Sequence, residues 1–352
     1  MKTAVLGFGY WAPNLVRALV ALSKVEDVLV VESASHRRSA AEAQFPGIRT
    51  ASLLSEALDN PCIESVFICT PARTHFEIGD QVLRAGKNAF IEKPFATSST
   101  EARRLFQTAH ERSLVVYPGH IFLHSSYFLT LQALLGEQAL GDLRYGIARR
   151  ASLGPRARED INATWDYLIH DVYVLNALLK GAPLCVTARG GAYLRASKED
   201  VCFAVLEYPN NFLLSLYSSW YAPEKERSLL LVGSEAMLDY DEQREDKWRL
   251  FDRGYRPRGG IDQHGNIGLE LFDRGIRVPS PEPSEEPLRR ELRTFLECVV
   301  QRRQPPEIKA HVLQVTETIE AINASMSAGG QPTSVATLPG SGSDLSPTKR
   351  YG

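Results

Sequence analysis

The stretch KTAVLGFGYWAPNLVRALVALSKVEDVLVVE, residues 2–32, decides the fold of this chain. Its opening residues KTAVL form an apolar run typical of a buried strand, and apolar side chains then recur at helical spacing. A second strand-like run, VLVVE, ends on Glu32. Between the first strand and the helix, Gly7, Gly9 and Ala12 fill the positions of the G-x-G-x-x-G/A pattern. This order of strand, glycine-rich loop, helix and strand predicts a dinucleotide-binding unit.

Each position of the pattern has a physical reason. Gly7 makes the tight turn, Gly9 lets the backbone approach the pyrophosphate, and the small Ala12 lets the helix pack on the strand. N–H groups at the start of the helix then bind phosphate. We therefore predict that cofactor contacts come from this loop and from the strand ends beside it: Gly7, Phe8, Gly9, Tyr10, Trp11, Ala12, Glu32, Ser33, Thr70, Pro71, His75, Glu92 and Lys93. His75 has two open interpretations, a cofactor contact or simply the first residue of a helix.

Glu32 bears on the choice between NAD and NADP. A carboxylate at the end of the second strand accepts hydrogen bonds from the adenosine ribose and repels a 2′-phosphate, which favours NAD. Arg37 and Arg38 follow closely and could reach a phosphate, so the pattern leaves NADP open.

Strand-like and helix-like segments alternate as far as residue 120. Repeated strand–helix units predict an α/β Rossmann domain with a doubly wound parallel sheet, which we place at residues 1–122. Strand-like runs dominate the next part, among them 143–153, 201–209, 212–220, 228–234 and 236–241, and helices return at 286–303 and 309–328. Asn210 and Asn211 predict a hairpin turn. Residues 337–352 are rich in Gly, Ser and Pro and predict a flexible tail.

Composition excludes several classes of partner. The chain has 352 residues, which suits two domains, and its net charge of −2 gives no reason to expect binding to nucleic acid or to a membrane surface. The five cysteines show no C-x-x-C spacing, so no disulfide framework or zinc site is indicated. No apolar stretch is long enough for a membrane span, and the apolar start is too short for a signal peptide. We expect a cytoplasmic protein.

The apolar segment TWDYLIHDVYVL, residues 164–175, contains Asp166 and His170. On a helix, residues four apart lie on one face, roughly 6 Å from each other. Burying either group alone costs a few kcal/mol or shifts its pKa until it is neutral. The pair is therefore either a self-satisfied buried pair or a catalytic pair.

Five segments, GFGYWAPNLVRAL, ICTPARTHFEI, IEKPFA, GHIFL and NATWDYLIHD, resemble the Gfo/Idh/MocA family of NAD(P)-dependent sugar and polyol oxidoreductases. The resemblance covers about residues 1–330. Within the family, the pieces YWAPNLVR, SLGPRAREDINATWD and GSEAMLDYDE look most like the branch with UDP-N-acetylglucosamine and UDP-N-acetylglucosaminuronate 3-dehydrogenases.

The resemblance implies a second α/β domain at residues 123–336, with a large, mainly antiparallel sheet for substrate binding and oligomerisation. A homodimer or homotetramer is expected. It also implies that Lys93 lies at the nicotinamide edge, often with a cis bond to Pro94, and faces the helix of Asp166 and His170. We assign His170 as general base because its ordinary pKa of roughly 6.5 lies near operating pH. Asp166 would orient it or share the proton, Lys93 would stabilise alkoxide charge, and no metal is required.

The expected partner is a small-molecule sugar, bound by Lys93, Arg156, Arg158, Asn162, Asp166 and His170. The two arginines suit a diphosphate, although a solvated charged loop is the other open interpretation for each. His120 and His124 are four apart, but no matching acid completes a metal site. The predicted function is an NAD-dependent dehydrogenase that oxidises C3 of a nucleotide sugar. The alternatives are an NADPH-dependent ketosugar reductase, a free-sugar or inositol dehydrogenase, and a non-catalytic NAD(P)-binding sensor.

Overall fold

The structure is a computed structural model that describes residues 1–154, 159–261 and 267–335. The predicted flexible tail, residues 337–352, lies outside the described residues. Two sheets carry the fold in the described part of the chain, one of six strands and one of nine.

The first sheet is parallel throughout. Its strands are β1 (Lys2–Leu6), β2 (Asp27–Val31), β3 (Arg49–Ala51), β4 (Ile63–Ile68), β5 (Asn88–Glu92) and β6 (Val116–Gly119). They lie in the order β3-β2-β1-β4-β5-β6. The direction of winding reverses beside β1, and ligands of such sheets bind outside the carboxyl ends of the strands at this point. The predicted doubly wound parallel sheet is confirmed.

Helices connect these strands because their apolar stripes cover the sheet. They are α1 (Ala12–Val20), α2 (Ser35–Gln44), α3 (Ser55–Leu58), α4 (His75–Arg84) and α5 (Ser99–Glu111). Leu15, Val16 and Leu19 of α1 are completely buried, as their spacing predicts. Gly86 follows α4 with φ of +78°, a left-handed conformation that ends the helix.

The second sheet is mainly antiparallel, as expected. Its strands are β7 (Leu143–Leu153), β8 (Cys185–Gly191), β9 (Val201–Glu207), β10 (Leu213–Ser219), β11 (Tyr221–Gly233), β12 (Met237–Asp241), β13 (Trp248–Ile261), β14 (Ile267–Arg277) and β15 (Thr333–Ser334). The order is β14-β13-β12-β11-β7-β10-β9-β8-β15, and β10 runs parallel to β7. Asn210 and Asn211 turn the β9–β10 hairpin with φ of +62° and +59°.

Three helices cover one face of this sheet: α6 (Ser126–Gly136), α7 (Ile169–Leu179) and α9 (Pro306–Ser327). A π turn at Thr164–Leu168 leads directly into α7. The segment of Asp166 and His170 is therefore helical, as predicted, but its first turn is wider than an α-helix. The wider turn changes the angle between Asp166 and His170, and π turns of this kind are frequent at functional sites.

Helix α8 (Pro287–Val300) returns to the first sheet. Its Phe295 is fully buried, with its ring centroid 5.4 Å from that of Phe67 and 5.7 Å from that of Phe90. Packing therefore crosses the predicted boundary at residue 122. The domain ranges 1–122 and 123–336 therefore stay predictions from the order of segments in the sequence.

Candidate active site

The glycine-rich loop connects β1 to α1 and fits a dinucleotide. Gly7 has φ of +83°, and a Cβ there would lie 3.1 Å from the carbonyl oxygen of Cys69, so the position requires glycine. A Cβ on Gly9 would meet nothing within 4 Å, which leaves room for a pyrophosphate to approach the backbone. Ala12 is completely buried at the start of α1, where the helix N–H groups face the loop.

Glu32 lies just after β2 and braces this loop. Its buried carboxylate accepts hydrogen bonds from the N–H of Phe8 at 2.8 Å and of Ala34 at 2.9 Å. Burial raises the pKa of this carboxyl, but the Ala34 and Phe8 N–H groups and the Arg37 charge outweigh it, so the pKa lies below its ordinary value. The lowered pKa favours an ionised Glu32 at neutral pH, and its contact with the ribose stays a prediction.

The two arginines beside Glu32 differ in what they contact. Arg37 Nη1 lies 3.7 Å from the Glu32 carboxylate and its side chain is half exposed. Arg38 donates to the carbonyl oxygens of Glu32 and Ser33 at 2.7 and 2.8 Å. Arg38 therefore braces the backbone, and Arg37 is the arginine with freedom to turn. Ser33 and Tyr10, the latter 77% exposed, lie at the rim of the loop.

His75 begins α4, and its ring is buried between two strand-end loops. Its ring nitrogens lie 2.7 Å from the carbonyl oxygen of Pro94 and 2.9 Å from that of Thr70. This histidine joins the loop after β4 (Thr70 and Pro71) to the loop after β5. A direct contact of His75 with the cofactor stays a prediction.

Trp11 and Glu92 join the glycine-rich loop to the end of β5. Trp11 Nε1 donates to Glu92 Oε1 at 2.6 Å, and the Lys93 N–H donates to Glu92 Oε2 at 3.2 Å. Gly119 on β6 makes room for this carboxylate, because a Cβ there would lie 3.0 Å from it. The Lys93–Pro94 peptide bond is cis, as the resemblance implies.

Lys93 reaches across from the first sheet to the π turn. Its Nζ donates to the carboxylate of Asp166 at 3.0 Å and to the Asp166 carbonyl oxygen at 2.9 Å. The second carboxylate oxygen of Asp166 accepts from Trp220 Nε1 at 3.1 Å. Both members of the ion pair are mostly buried. Asp166 therefore orients Lys93, whereas the sequence interpretation gave it the task of orienting His170.

His170 is held by Tyr173 instead. Its Nδ1 lies 3.0 Å from the Tyr173 hydroxyl, and the Phe122 ring meets it edge-on with centroids 5.1 Å apart. Burial, followed by the charges of Lys93, Arg150 and Arg227, lowers the pKa of His170 well below its ordinary value. The imidazole is therefore neutral. Tyr173 is not among the residues predicted from the sequence, although a hydroxyl three residues after a histidine on a helix lies close enough to contact that histidine.

Arg150 and Asp171 form a buried ion pair behind His170. The guanidinium donates twice to the carboxylate, at 2.7 and 3.0 Å, and lies over the Phe122 ring at 5.1 Å. Such bidentate pairs have a fixed geometry. The pair keeps the Phe122 and His170 rings in place.

The remaining predicted substrate-binding residues are Arg156, Arg158 and Asn162. Arg156 and Arg158 lie outside the described residues. Asn162 is buried, and its amide nitrogen donates to Glu199 and Asn323 at 2.9 and 2.7 Å. Its amide oxygen accepts from the Thr164 hydroxyl at 2.6 Å. Both amide protons of Asn162 are used in these hydrogen bonds, which anchor the π turn. We therefore do not propose Asn162 as a substrate contact.

Within residues 1–154, 159–261 and 267–335, no group of three or more His, Cys, Asp and Glu side chains is arranged to hold a metal ion. No helix among these same residues is both long and apolar enough to cross a membrane.

Comparison with known proteins shows the family. Residues 1–120 match the model of the Gfo/Idh/MocA oxidoreductase family, NAD-binding Rossmann fold, and residues 128–239 match the model of the Gfo/Idh/MocA C-terminal domain. The chain belongs to the Gfo/Idh/MocA family of oxidoreductases. Its first sheet and glycine-rich loop form the NAD-binding domain of this family.

A UDP-N-acetylglucosamine 3-dehydrogenase from Acidithiobacillus ferrooxidans is 29% identical over 327 residues, 91% of this chain and 98% of the relative. Two solved structures share the fold. A protein from gentamicin A biosynthesis in complex with NAD is 23% identical with a TM-score of 0.78, covering 96% of this chain and 97% of that one. A 3-ketoreductase from Actinomadura kijaniata in complex with TDP-benzene and NADP is 21% identical with a TM-score of 0.75, covering 92% and 97%.

Proposed function

We propose that this protein transfers a hydride between a secondary alcohol of a sugar and the C4 atom of NAD. The contact that carries the proposal is the 3.0 Å ion pair between Lys93 at the end of β5 and Asp166 in the π turn. It brings a cation from the dinucleotide-binding sheet against the helix that presents His170. A cationic donor and an imidazole beside a dinucleotide site are what the oxygen of a reacting alcohol or ketone needs.

The roles divide between the two sheets. When bound, NAD would supply the hydride acceptor, with Gly9 leaving room for its pyrophosphate and Glu32 accepting hydrogen bonds from its adenosine ribose. Lys93 and His170 bind the reacting oxygen, and Asp166 with Trp220 holds the Lys93 ammonium in place. Tight positioning matters here because misplacing a reacting group by about 1 Å can cost about 100-fold in rate.

For the substrate, we propose a nucleotide sugar oxidised at C3. The support is the relative named as a UDP-N-acetylglucosamine 3-dehydrogenase, which aligns with 91% of this chain. Free polyols and other sugars are the alternatives that a substrate panel must exclude.

The test is nicotinamide absorbance after NAD⁺ is mixed with purified protein and a panel of UDP-sugars, UDP-sugar acids and free polyols. A rise in absorbance with a UDP-sugar alone is expected. A rise with a free polyol alone would refute the nucleotide-sugar assignment, and the absence of any rise, with NAD binding demonstrated, would count against oxidation itself.

An NADPH-dependent ketosugar reductase is the second candidate, and Arg37 is the observation that favours it. This half-exposed guanidinium lies 3.7 Å from Glu32 and can turn toward a 2′-phosphate. The same preparation, given NADPH and 3-ketosugar nucleotides, should consume NADPH faster than NADH if this candidate is right.

We also propose that a second copy of the chain covers the open face of the nine-stranded sheet. Phe203, Val205 and Leu213 alternate with buried residues on β9 and β10 and are each more than 40% exposed. The helices cover the opposite face, so these side chains point to solvent in a single chain. Adjacent exposed apolar side chains of this kind are typical of interfaces.

A further inference from the structure

The hydrogen bond between Tyr173 and His170 determines which nitrogen of the imidazole faces the reaction. Nδ1 of His170 lies 3.0 Å from the Tyr173 hydroxyl, so Nε2 is the nitrogen left for a substrate oxygen. Tyr173 is completely buried, and its ring stacks on His120 with centroids 4.3 Å apart. The phenol therefore holds one position.

Counting protons at the Tyr173 hydroxyl assigns the direction of this bond. The hydroxyl oxygen already accepts a hydrogen bond from the N–H of Phe122 at 3.3 Å. Its single proton needs an acceptor, and in the described part of the chain Nδ1 of His170 is the acceptor within reach. If Nδ1 carried the proton instead, the buried phenol proton would have no acceptor, which is unfavourable.

We propose that Tyr173 is a positioning residue that fixes neutral His170 in the tautomer with its proton on Nε2, so that His170 meets the reacting oxygen as a hydrogen-bond donor. This inference rests on the proposed function and revises the assignment of His170 as general base. The hydrogen bonds of the two groups are separate in the described part of the chain: the Asp166 carboxylate accepts from Lys93 and Trp220, whereas His170 pairs with Tyr173. The low pKa of His170 keeps the ring neutral, which this tautomer requires.

The tautomer leaves Lys93 as the group that moves the proton. In ketone reduction, His170 Nε2–H and the Lys93 ammonium would both donate to the carbonyl oxygen, and reduced nicotinamide, when bound, would supply the hydride for the carbonyl carbon. The ammonium proton passes to that oxygen, giving an alcohol and a neutral amine, which then takes a proton from water. Oxidation is the reverse: the neutral amine accepts the hydroxyl proton as hydride leaves the carbon for oxidised nicotinamide.

The experiment compares the wild-type chain with Tyr173→Phe and with a matched control, Tyr208→Phe. Tyr208 is also buried, and its hydroxyl also donates to a side chain of α7, Asn176, at 2.7 Å, but it does not touch His170. ¹⁵N spectra of histidine-labelled protein, assigned with a His170→Gln variant, show which ring nitrogen is protonated. Turnover with NAD and the active sugar gives kcat and KM for each protein.

We expect a protonated Nε2 and an unprotonated Nδ1 on His170, both in the wild type and in Tyr208→Phe. Tyr173→Phe should lose this preference and about 10- to 100-fold in kcat, with little change in KM for the sugar. A protonated Nδ1 in active wild-type protein would overturn the inference, as would a Tyr173→Phe variant with the kcat of the control. If the proposed function fails, the wild type is inactive on the panel, and the ¹⁵N spectrum still tests the tautomer.

Discussion

At the scale of single residues, Glu32 has one predicted task and one observed task. The pattern predicts a ribose contact, whereas the structure also shows the carboxylate bracing the glycine-rich loop through Phe8 and Ala34. The sequence does not predict these two hydrogen bonds, because they form only when the loop folds back over the end of β2.

Replacing Glu32 with Gln tests both tasks. The amide keeps one acceptor but loses the charge, and hydrogen bonds to charged groups contribute about 1.5–3 kcal/mol, so KM for NAD should rise about 10-fold. The preference for NAD over NADP should fall as well, because the repulsion of a 2′-phosphate is lost. Steady-state kinetics with both cofactors measures this, and Glu26→Gln, at an exposed carboxylate paired with the N-terminus, is the control. An unchanged cofactor ratio in Glu32→Gln would show that Glu32 does not face the ribose.

At the scale of elements, the strongly patterned segments were predictable and the context-dependent ones were not. The strand–loop–helix start, the termination of α4 at Gly86 and the asparagine hairpin follow from local chemistry. Helix α6 and strands β8, β13 and β14 are not predicted from the sequence pattern. The π turn was also missed, because it depends on Asn162 bridging Glu199 and Asn323, which are far away in the chain. Lys93, Asp166 and His170 lie close together, as expected, but the sequence pattern does not predict which hydrogen-bond partner each of them has.

Helix α8 provides a test of packing across the predicted boundary. Phe295 fills the space between α8 and the first sheet, so Phe295→Ala should lower the free energy of unfolding by about 3–5 kcal/mol. Urea unfolding followed by fluorescence measures this. Val300→Ala, at a 63% exposed position on the same helix, is the control and should change stability by less than about 0.5 kcal/mol. Similar losses in both variants would show that α8 does not complete the core of the first sheet.

At the scale of the whole molecule, buried histidines set the acid stability. Burial lowers the pKa of four histidines. The pKa falls to about 4 for His124 and His311, and it lies well below its ordinary value for His120 and His170. At pH values between about 4 and the unfolded pKa of about 6.5, these histidines bind protons in the unfolded chain but not in the folded chain. Each histidine then lowers the free energy of unfolding by at most about 1.4 kcal/mol per pH unit as pH falls.

Two buried carboxyls act in the opposite direction. Burial raises the pKa of Glu291 and Glu317, so the folded chain keeps protons on them that the unfolded chain releases above about 4.5. They offset part of the histidine effect, and because four histidines act against two carboxyls the net stability should still fall between pH 6 and pH 5. Urea unfolding at these two pH values measures it. A Glu291→Gln variant should steepen the loss, and equal stability at both pH values would contradict the assignment of neutral histidines.

The open face of the nine-stranded sheet predicts the assembly. A charge in the middle of this surface is costly once it is covered, so Phe203→Glu should break the oligomer while leaving the fold intact. Light scattering coupled to size-exclusion chromatography measures the mass. Tyr255→Glu, at an exposed position on β13, is a comparison away from β9 and β10. A monomeric wild-type protein would contradict the proposed homo-oligomer.

The most direct test of the proposed reaction follows the hydride itself. A UDP-sugar carrying deuterium at C3 is incubated with NAD⁺ and the protein, and the nicotinamide product is analysed by mass spectrometry and NMR. We expect deuterium at C4 of NADH. The transfer rate should fall at least about 100-fold in Lys93→Met and stay unchanged in Lys24→Met, which alters a surface ion pair. NADH without deuterium would place the reaction at another carbon. No transfer at all, from protein that binds NAD, would contradict hydride transfer from this substrate.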